Sequence, residues 1–146
     1  MVPAWRRMQR QKLANALLVV APAEALPAEL NGVADAVTVH FPWGSLLAGV
    51  LEVRPEIAAG LAVIAKPGAS VTVVVSVTER EKALGLPALE PALASSLARR
   101  YATYRLQVVD WRLATADDVA GTRSSWARRL GAGGRRDAWL LRLARS

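Results

Sequence analysis

Val71-Thr72-Val73-Val74-Val75-Ser76-Val77 is β-branched at every position but Ser76, and apolar residues fall on both of its faces. Such a run suits the central strand of a parallel sheet covered on both sides. Just before it, Lys66-Pro67-Gly68 reads as a turn. Further upstream, Leu47, Val50 and Leu51, then Ile57, Leu61 and Ile64, recur at three- and four-residue spacing between Leu46 and Ala65, which predicts helix. Pro55 splits that stretch and starts a second helix near its first position. Val37, Val39 and Phe41 alternate within Val33 to Phe41 and stop at Pro42, a strand, and Leu17-Leu18-Val19-Val20 is a short buried run closed by Ala21-Pro22. Downstream, Thr78 to Glu90 is a polar loop, and Pro91 to Tyr101 a helix with Leu93, Leu97 and Tyr101 on one stripe. Tyr104 to Leu113 is a strand, Asp117 to Leu130 begins as a helix and runs into Gly131-Ala132-Gly133-Gly134, and Ala138 to Leu143 is a last strand. Strands alternating with helices predict an α/β fold with a mainly parallel sheet.

At 146 residues and 53% hydrophobic composition, the chain is long enough for one core of its own, without internal repeats or a dividing linker. It has no cysteine, which excludes disulfides and thiolate metal sites, and its single histidine, His40, argues against a zinc centre or a histidine-based hydrolytic triad. No metal is expected. No membrane is expected either, because the apolar runs are short and Glu52, Arg54 and Glu56 interrupt the longest candidate. Arg6, Arg7 and Lys12, the apolar Leu13 to Val20 and then Ala21-Pro22-Ala23 imitate a secretion signal. Against that reading, the apolar stretch is short and contains Asn15, and a cytoplasmic protein is expected.

The net charge is +7, and it is uneven. Residues 99–146 hold eleven arginines against four acids, residues 1–12 carry Arg6, Arg7, Arg10 and Lys12, and the stretch between is acidic. Clustered arginine suits phosphate, since the planar fork binds oxygens in pairs. It serves a solubilising surface equally well, so charge alone does not decide.

Two segments carry candidate chemistry. In Val39-His40-Phe41-Pro42-Trp43-Gly44-Ser45-Leu46-Leu47, a strand ends, a proline fixes the turn, and an indole is offered at the strand's carboxyl edge, where open α/β sheets bind ligands. Trp43 there suits stacking on a planar base, or else caps the core. In Gly121-Thr122-Arg123-Ser124-Ser125-Trp126-Ala127-Arg128-Arg129-Leu130, followed by Arg135-Arg136, an indole sits among hydroxyls and guanidinium groups. That is the composition of a nucleic-acid contact, or of a helix end with cations against its dipole. Two tryptophan-bearing loops in one basic protein favour the nucleic-acid reading.

From about Asn15 onward the chain resembles the aminoglycoside-resistance methyltransferases that modify N1 of a decoding-site adenine in 16S rRNA, the kanamycin–apramycin resistance type. The matching residues are Ala23-Glu24-Ala25-Leu26-Pro27, Phe41-Pro42-Trp43-Gly44-Ser45-Leu46-Leu47, Lys66-Pro67-Gly68-Ala69-Ser70, Ala120-Gly121 and Ser124-Ser125-Trp126-Ala127-Arg128-Arg129-Leu130. The resemblance implies a class I S-adenosylmethionine (SAM)-dependent, Rossmann-like methyltransferase fold acting on the 30S subunit and conferring aminoglycoside resistance. It implies base flipping, with Trp43 and Trp126 sandwiching the extruded adenine and Ser124 and Ser125 shaping the loop. Ala23, Glu24, Phe41 and Pro42 would line the cofactor pocket. Arg6, Arg7, Arg10, Lys12, Arg128, Arg129, Arg135 and Arg136 would contact the RNA.

The sequence also departs from that pattern. The family's further arginine beyond Trp-x-Arg-Arg falls at Gly133 or Gly134, so Arg135 or Arg136 would serve only in a shifted register. No Gly-x-Gly precedes residue 131, and no acidic residue ends an earlier strand, so the elements that hold the methionine and ribose of SAM are not recognisable. The expectation is one partial domain over residues 1–146 that lacks the first one or two strands, the Gly-rich loop and half of the cofactor pocket. It would comprise a basic linker or helix at 1–14, the sheet core at 15–113, an RNA-contacting insert at 114–137 and the last strand at 138–146. Little turnover by this chain alone is then expected. A non-catalytic RNA- or ribosome-binding remnant, or an unstable remnant without function, are the alternatives.

Overall fold

The valine-rich run lies at the middle of a four-stranded sheet, where its two edges pair with different neighbours. The computed structural model describes residues 2–130 and 136–146. Helix α1 (Val2–Arg10) leads through an irregular segment and a short 3-10 turn (Ala28–Leu30) to β1 (Ala34–His40). Then follow α2 (Gly44–Glu52), α3 (Pro55–Ile64), β2 (Ala65–Val75), α4 (Glu79–Lys82) and α5 (Leu93–Ala102). The chain continues through β3 (Leu106–Leu113), α6 (Ala116–Gly121) and α7 (Ser125–Leu130) to β4 (Trp139–Arg145).

The sheet order is β1-β2-β4-β3. β1 and β2 are parallel, with Val39 beside Val73, whereas β4 inserts antiparallel between β2 and β3. The sheet is therefore mixed, not mainly parallel as expected: periodicity reveals a strand but not its direction. Pro55 does begin α3, directly after a left-handed Val53 ends α2. Lys66-Pro67-Gly68 is absorbed into β2 as an irregularity, where the register slips between Ala34–Ala65 and Ala36–Ser70 and Gly68 takes a φ of 84°. Leu17-Leu18-Val19-Val20 forms no strand, and Leu17 is 80% exposed: apolar composition buries a segment only where a layer is available to cover it. The loop expected at Thr78 to Glu90 contains α4, started by a reciprocal Thr78–Glu81 capping box.

One face of the sheet carries the main core. Val71, Val73, Val75, Trp139, Leu141 and Leu143 meet Leu47, Val50 and Leu51 of α2, Ile57 and Leu61 of α3, and Leu97 and Tyr101 of α5. Each such side chain contributes about 1.5–3 kcal/mol on leaving water. The indoles of Trp111 and Trp139 stack at 4.9 Å, and the buried Tyr101 hydroxyl donates to the Val50 carbonyl at 2.8 Å. Gly49 lets α2 approach α3, because a Cβ there would run into the Ile57 side chain.

The opposite face is different. Thr38, His40, Ser70 and Arg142 lie on it and are exposed, with Thr38 and Arg142 on either side of Thr72. Among the described residues it is closed at one end, where Phe41, Val74, Val119, Ala127 and Ala138 form a second, smaller apolar cluster.

Candidate active site

The site begins where β1 stops. The Phe41 amide still donates to the Val74 carbonyl at 2.8 Å, but Phe41 itself takes a φ of 50°, a left-handed conformation that costs a bulky residue about 1–3 kcal/mol. That turn sends the Phe41 ring inward, 6% exposed, against Val119 and Ala127. Pro42 is buried beside it, and the chain then reverses outward, leaving Trp43 77% exposed at the N-cap of α2. Gly44 follows at a φ of 61° with open space around it, so backbone conformation, not crowding, calls for glycine there.

The second arm comes from β3. Thr115 and Asp118 form a capping box that starts α6. The stretch expected to begin as a helix at Asp117 does so, and the helix then gives way at Arg123, with a φ of 51°, where the Ser124 amide donates to the Thr122 hydroxyl at 3.2 Å. The break redirects α7, which buries Ala127 and leaves Trp126 53% exposed. The Arg129 guanidinium lies 5.8 Å from the Trp126 ring centre, within cation–π range, so one indole face carries a cation.

Trp43 and Trp126, far apart in sequence, line one cleft of ≈ 410 Å³ at the carboxyl end of β1. Val39, His40, Phe41, Pro42, Gly44, Ser45 and Leu46 complete its wall. An apolar cleft between two accessible indoles can take a flat aromatic ring and hold it by its faces.

The other candidates are more scattered. Ser124 and Ser125 lie at the start of α7, outside the cleft wall. Ala23 is half-buried and packs on α3, where the absence of a side chain at Gly60 makes room for the Ala23 carbonyl; Glu24 is exposed, and neither lines the cleft. Arg6, Arg7, Arg10 and Lys12 are exposed on and just after α1, and Arg128 and Arg129 are exposed on α7. Arg136 lines a separate cleft of ≈ 830 Å³ with Glu79, Lys82, Asp137 and Trp139. Arg135 lies outside the described residues.

Sequence reasoning missed a clamp behind the Trp126 arm. Arg112 of β3 donates from Nη1 to Asp118 at 2.6 Å and from Nε to Asp110 at 3.0 Å. The hydrogen bond from Arg112, helped by those from Thr115, holds the Asp118 carboxyl well below the usual carboxylate range. The Thr115-x-x-Asp118 spacing was a possible signal for the cap, but nothing in the sequence couples Arg112 to it.

Residues 2–145 match a family model described as NpmA: 16S rRNA (adenine(1408)-N(1))-methyltransferase. Two relatives bearing that enzyme name come from Streptoalloteichus tenebrarius and Escherichia coli. The first is 39% identical over 132 residues, which are 81% of this chain and 56% of that protein. The second is 34% identical over 131 residues, covering 85% and 60% respectively. The chain thus spans a little over half the length of these curated relatives. Among solved structures, a tryptophan-to-alanine mutant of the 16S rRNA (adenine(1408)-N(1))-methyltransferase from Catenulisporales acidiphilia with cosubstrate SAM superimposes with a TM-score of 0.80. That match has 35% identity and covers 98% of this chain and 72% of that one. The antibiotic-resistance methyltransferase Kmr superimposes with a TM-score of 0.74 at 28% identity. The α/β architecture with its mixed sheet is the Rossmann-like fold that the resemblance implied. Taken with the family match along nearly its whole length, this shows that the chain belongs to the NpmA family of 16S rRNA (adenine(1408)-N(1))-methyltransferases.

Proposed function

We propose that this protein acts in the methylation of N1 of a flipped decoding-site adenine in 16S rRNA of the 30S subunit, in the cytoplasm, with aminoglycoside resistance as the consequence. The observation that carries the reading is the cleft shared by Trp43 and Trp126. An extruded adenine stacked between two indoles presents its edge, with N1, to whatever lies deeper at the carboxyl end of β1. Base–aromatic stacking contributes about 1–3 kcal/mol per base, enough to hold a nucleotide out of its helix. Exposed Arg128 and Arg129 on the same arm suit the flanking phosphates, and Arg6, Arg7, Arg10 and Lys12 a second stretch of backbone. Arg135 and Arg136 belong to the same proposed RNA-facing set.

The cofactor in this reading is SAM, which supplies an electrophilic methyl group when bound. Phe41 and Pro42 offer an apolar wall, and the Ala23–Glu24 turn, seated over Gly60 of α3 and outside the cleft, an exposed carboxylate. These residues suit an adenosyl group and would hold it. Adenine N1 has an in-plane lone pair, so the chain need supply no strong base. Its residues contribute alignment: Trp43 and Trp126 fix the ring, and Ser124 and Ser125 shape the arm that carries Trp126.

The test is transfer of labelled methyl groups from SAM to 30S subunits, with the modified position read by reverse transcription. Because little turnover is expected of this chain alone, the assay uses the chain joined to a relative's cofactor-binding strands; the reading expects incorporation at a single adenine N1, and loss of that signal by roughly 5- to 150-fold in Trp43→Ala and Trp126→Ala. Equal incorporation by both variants would overturn it. A second reading, RNA binding without methyl transfer, is favoured by the cleft wall itself, which is predominantly apolar and offers little to a charged methionine moiety. Salt-sensitive 30S binding without SAM binding in calorimetry would select that reading instead.

A further inference from the structure

α6 is six residues long, far too short to hold its place by its own backbone hydrogen bonds. Yet it stands behind both tryptophans. Val119 on α6 packs with Phe41, which precedes Trp43 by two residues, and with Ala127, which follows Trp126 directly. The spacing of the two indoles therefore depends on where α6 sits.

One carboxylate fixes α6 in two directions. Asp118 Oδ2 accepts from the Thr115 amide at 2.7 Å and from Arg112 Nη1 at 2.6 Å, and Oδ1 accepts from Arg112 Nη2 at 3.3 Å. The first bond closes the cap of α6, and the other two tie the helix to β3. Arg112 is itself anchored: its Nε donates to Asp110, its Nη1 also donates to the Leu113 carbonyl at 3.0 Å, and its backbone lies in register with Leu140 of β4. At 20% exposure, the Asp118 carboxylate is the most sheltered acid among the ion pairs of the described residues. A two-point charged contact of this kind is directional and resists rotation.

We propose that Asp118 is a positioning residue for the base-binding cleft: through Arg112 on one side and Val119 on the other, it sets the separation of Trp43 and Trp126. The proposal deepens the base-sandwich reading and rests on it for its functional meaning, but the geometry can be tested without any substrate.

The experiment uses the full chain labelled with 5-fluorotryptophan, its five tryptophans assigned by single substitution and followed by fluorine NMR. Asp118→Asn keeps an oxygen for the Thr115 amide and removes the charged tie to Arg112. The expected result is that the Trp43 and Trp126 resonances shift or broaden while that of Trp139, stacked in the main core, stays in place. Val119→Ala, which leaves the ion pair intact, is expected to move the same two resonances, and Arg112→Lys to restore part of the native positions relative to Arg112→Ala. Unmoved Trp43 and Trp126 resonances in Asp118→Asn would overturn the proposal, and so would a displacement of all five together, which marks general loosening. Binding of a short RNA bearing an unpaired adenine is measured in parallel. Asp118→Asn is expected to weaken it by roughly tenfold, as a loss of stacking would. If neither tryptophan-to-alanine variant changes RNA affinity while the resonances respond as stated, the positioning stands and the sandwich reading fails.

Discussion

The two faces of the sheet follow different rules. Against one, α2, α3 and α5 bury large aliphatic side chains in a continuous core, with α2 and α3 in contact through Gly49 and Ile57. Against the other, two helices of six residues hold five modest side chains at one end, and polar ties do the rest. Two of the left-handed non-glycine residues, Phe41 and Arg123, fall in this second region a few residues before Trp43 and Trp126, although Val53 at the end of α2 shows that the first face carries such a residue too. Stability resides in the first face, and the candidate chemistry in the second, where strain and exposure are tolerated because the first face anchors the strands.

The comparison breaks most severely if the covered face is not the source of stability. Leu141→Ala, at a fully buried position in β4, is expected to cost about 2–5 kcal/mol in denaturant unfolding, and a loss below about 1 kcal/mol would contradict the assignment. Next comes Gly49→Ala, which places a methyl group against Ile57 Cγ1 and is expected to cost about 1–3 kcal/mol, a penalty that should shrink when the same substitution is made in an Ile57→Ala background.

The clamp gives a smaller, pH-dependent effect. Asp118 has a depressed pKa in the folded protein, so its contribution to stability is complete above the unfolded-state carboxyl pKa and is lost as pH falls through the folded value. Below about pH 4 the wild-type Tm should fall more steeply than that of Asp118→Asn, and parallel curves would show that the clamp adds nothing. Smallest of all is the stability change in Trp43→Ala and Trp126→Ala. Both side chains are largely exposed, and each variant should unfold within about 0.5 kcal/mol of the wild type.

Much of the first face was legible in the sequence. A β-branched run at Val71 to Val75, helical spacing around Leu47 and Leu51, and a proline at residue 55 are local signals, and each became the element it indicated. Strand direction was not legible, because the last strand enters between β2 and β3 from a distant part of the chain. Leu17 to Val20 misled for the reverse reason: the local pattern suits a strand, but only Leu18 is even half-buried. At the site, Pro42-Trp43-Gly44 and Ser125-Trp126 stood out by composition, and the structure brings their indoles to one cleft. The clamp was invisible, because Arg112 and Asp118 are common residue types whose relation depends on β3 turning into α6. The break at Arg123 was equally hidden, since no glycine marks its left-handed backbone.

The most direct test of the central claim is the fluorescence of a short rRNA hairpin with 2-aminopurine at the target adenine. The wild-type chain is expected to change this fluorescence sharply on binding, and Trp43→Ala and Trp126→Ala to bind still through the basic surface with most of that change lost. An identical change with either variant would contradict the claim that the two indoles hold the base.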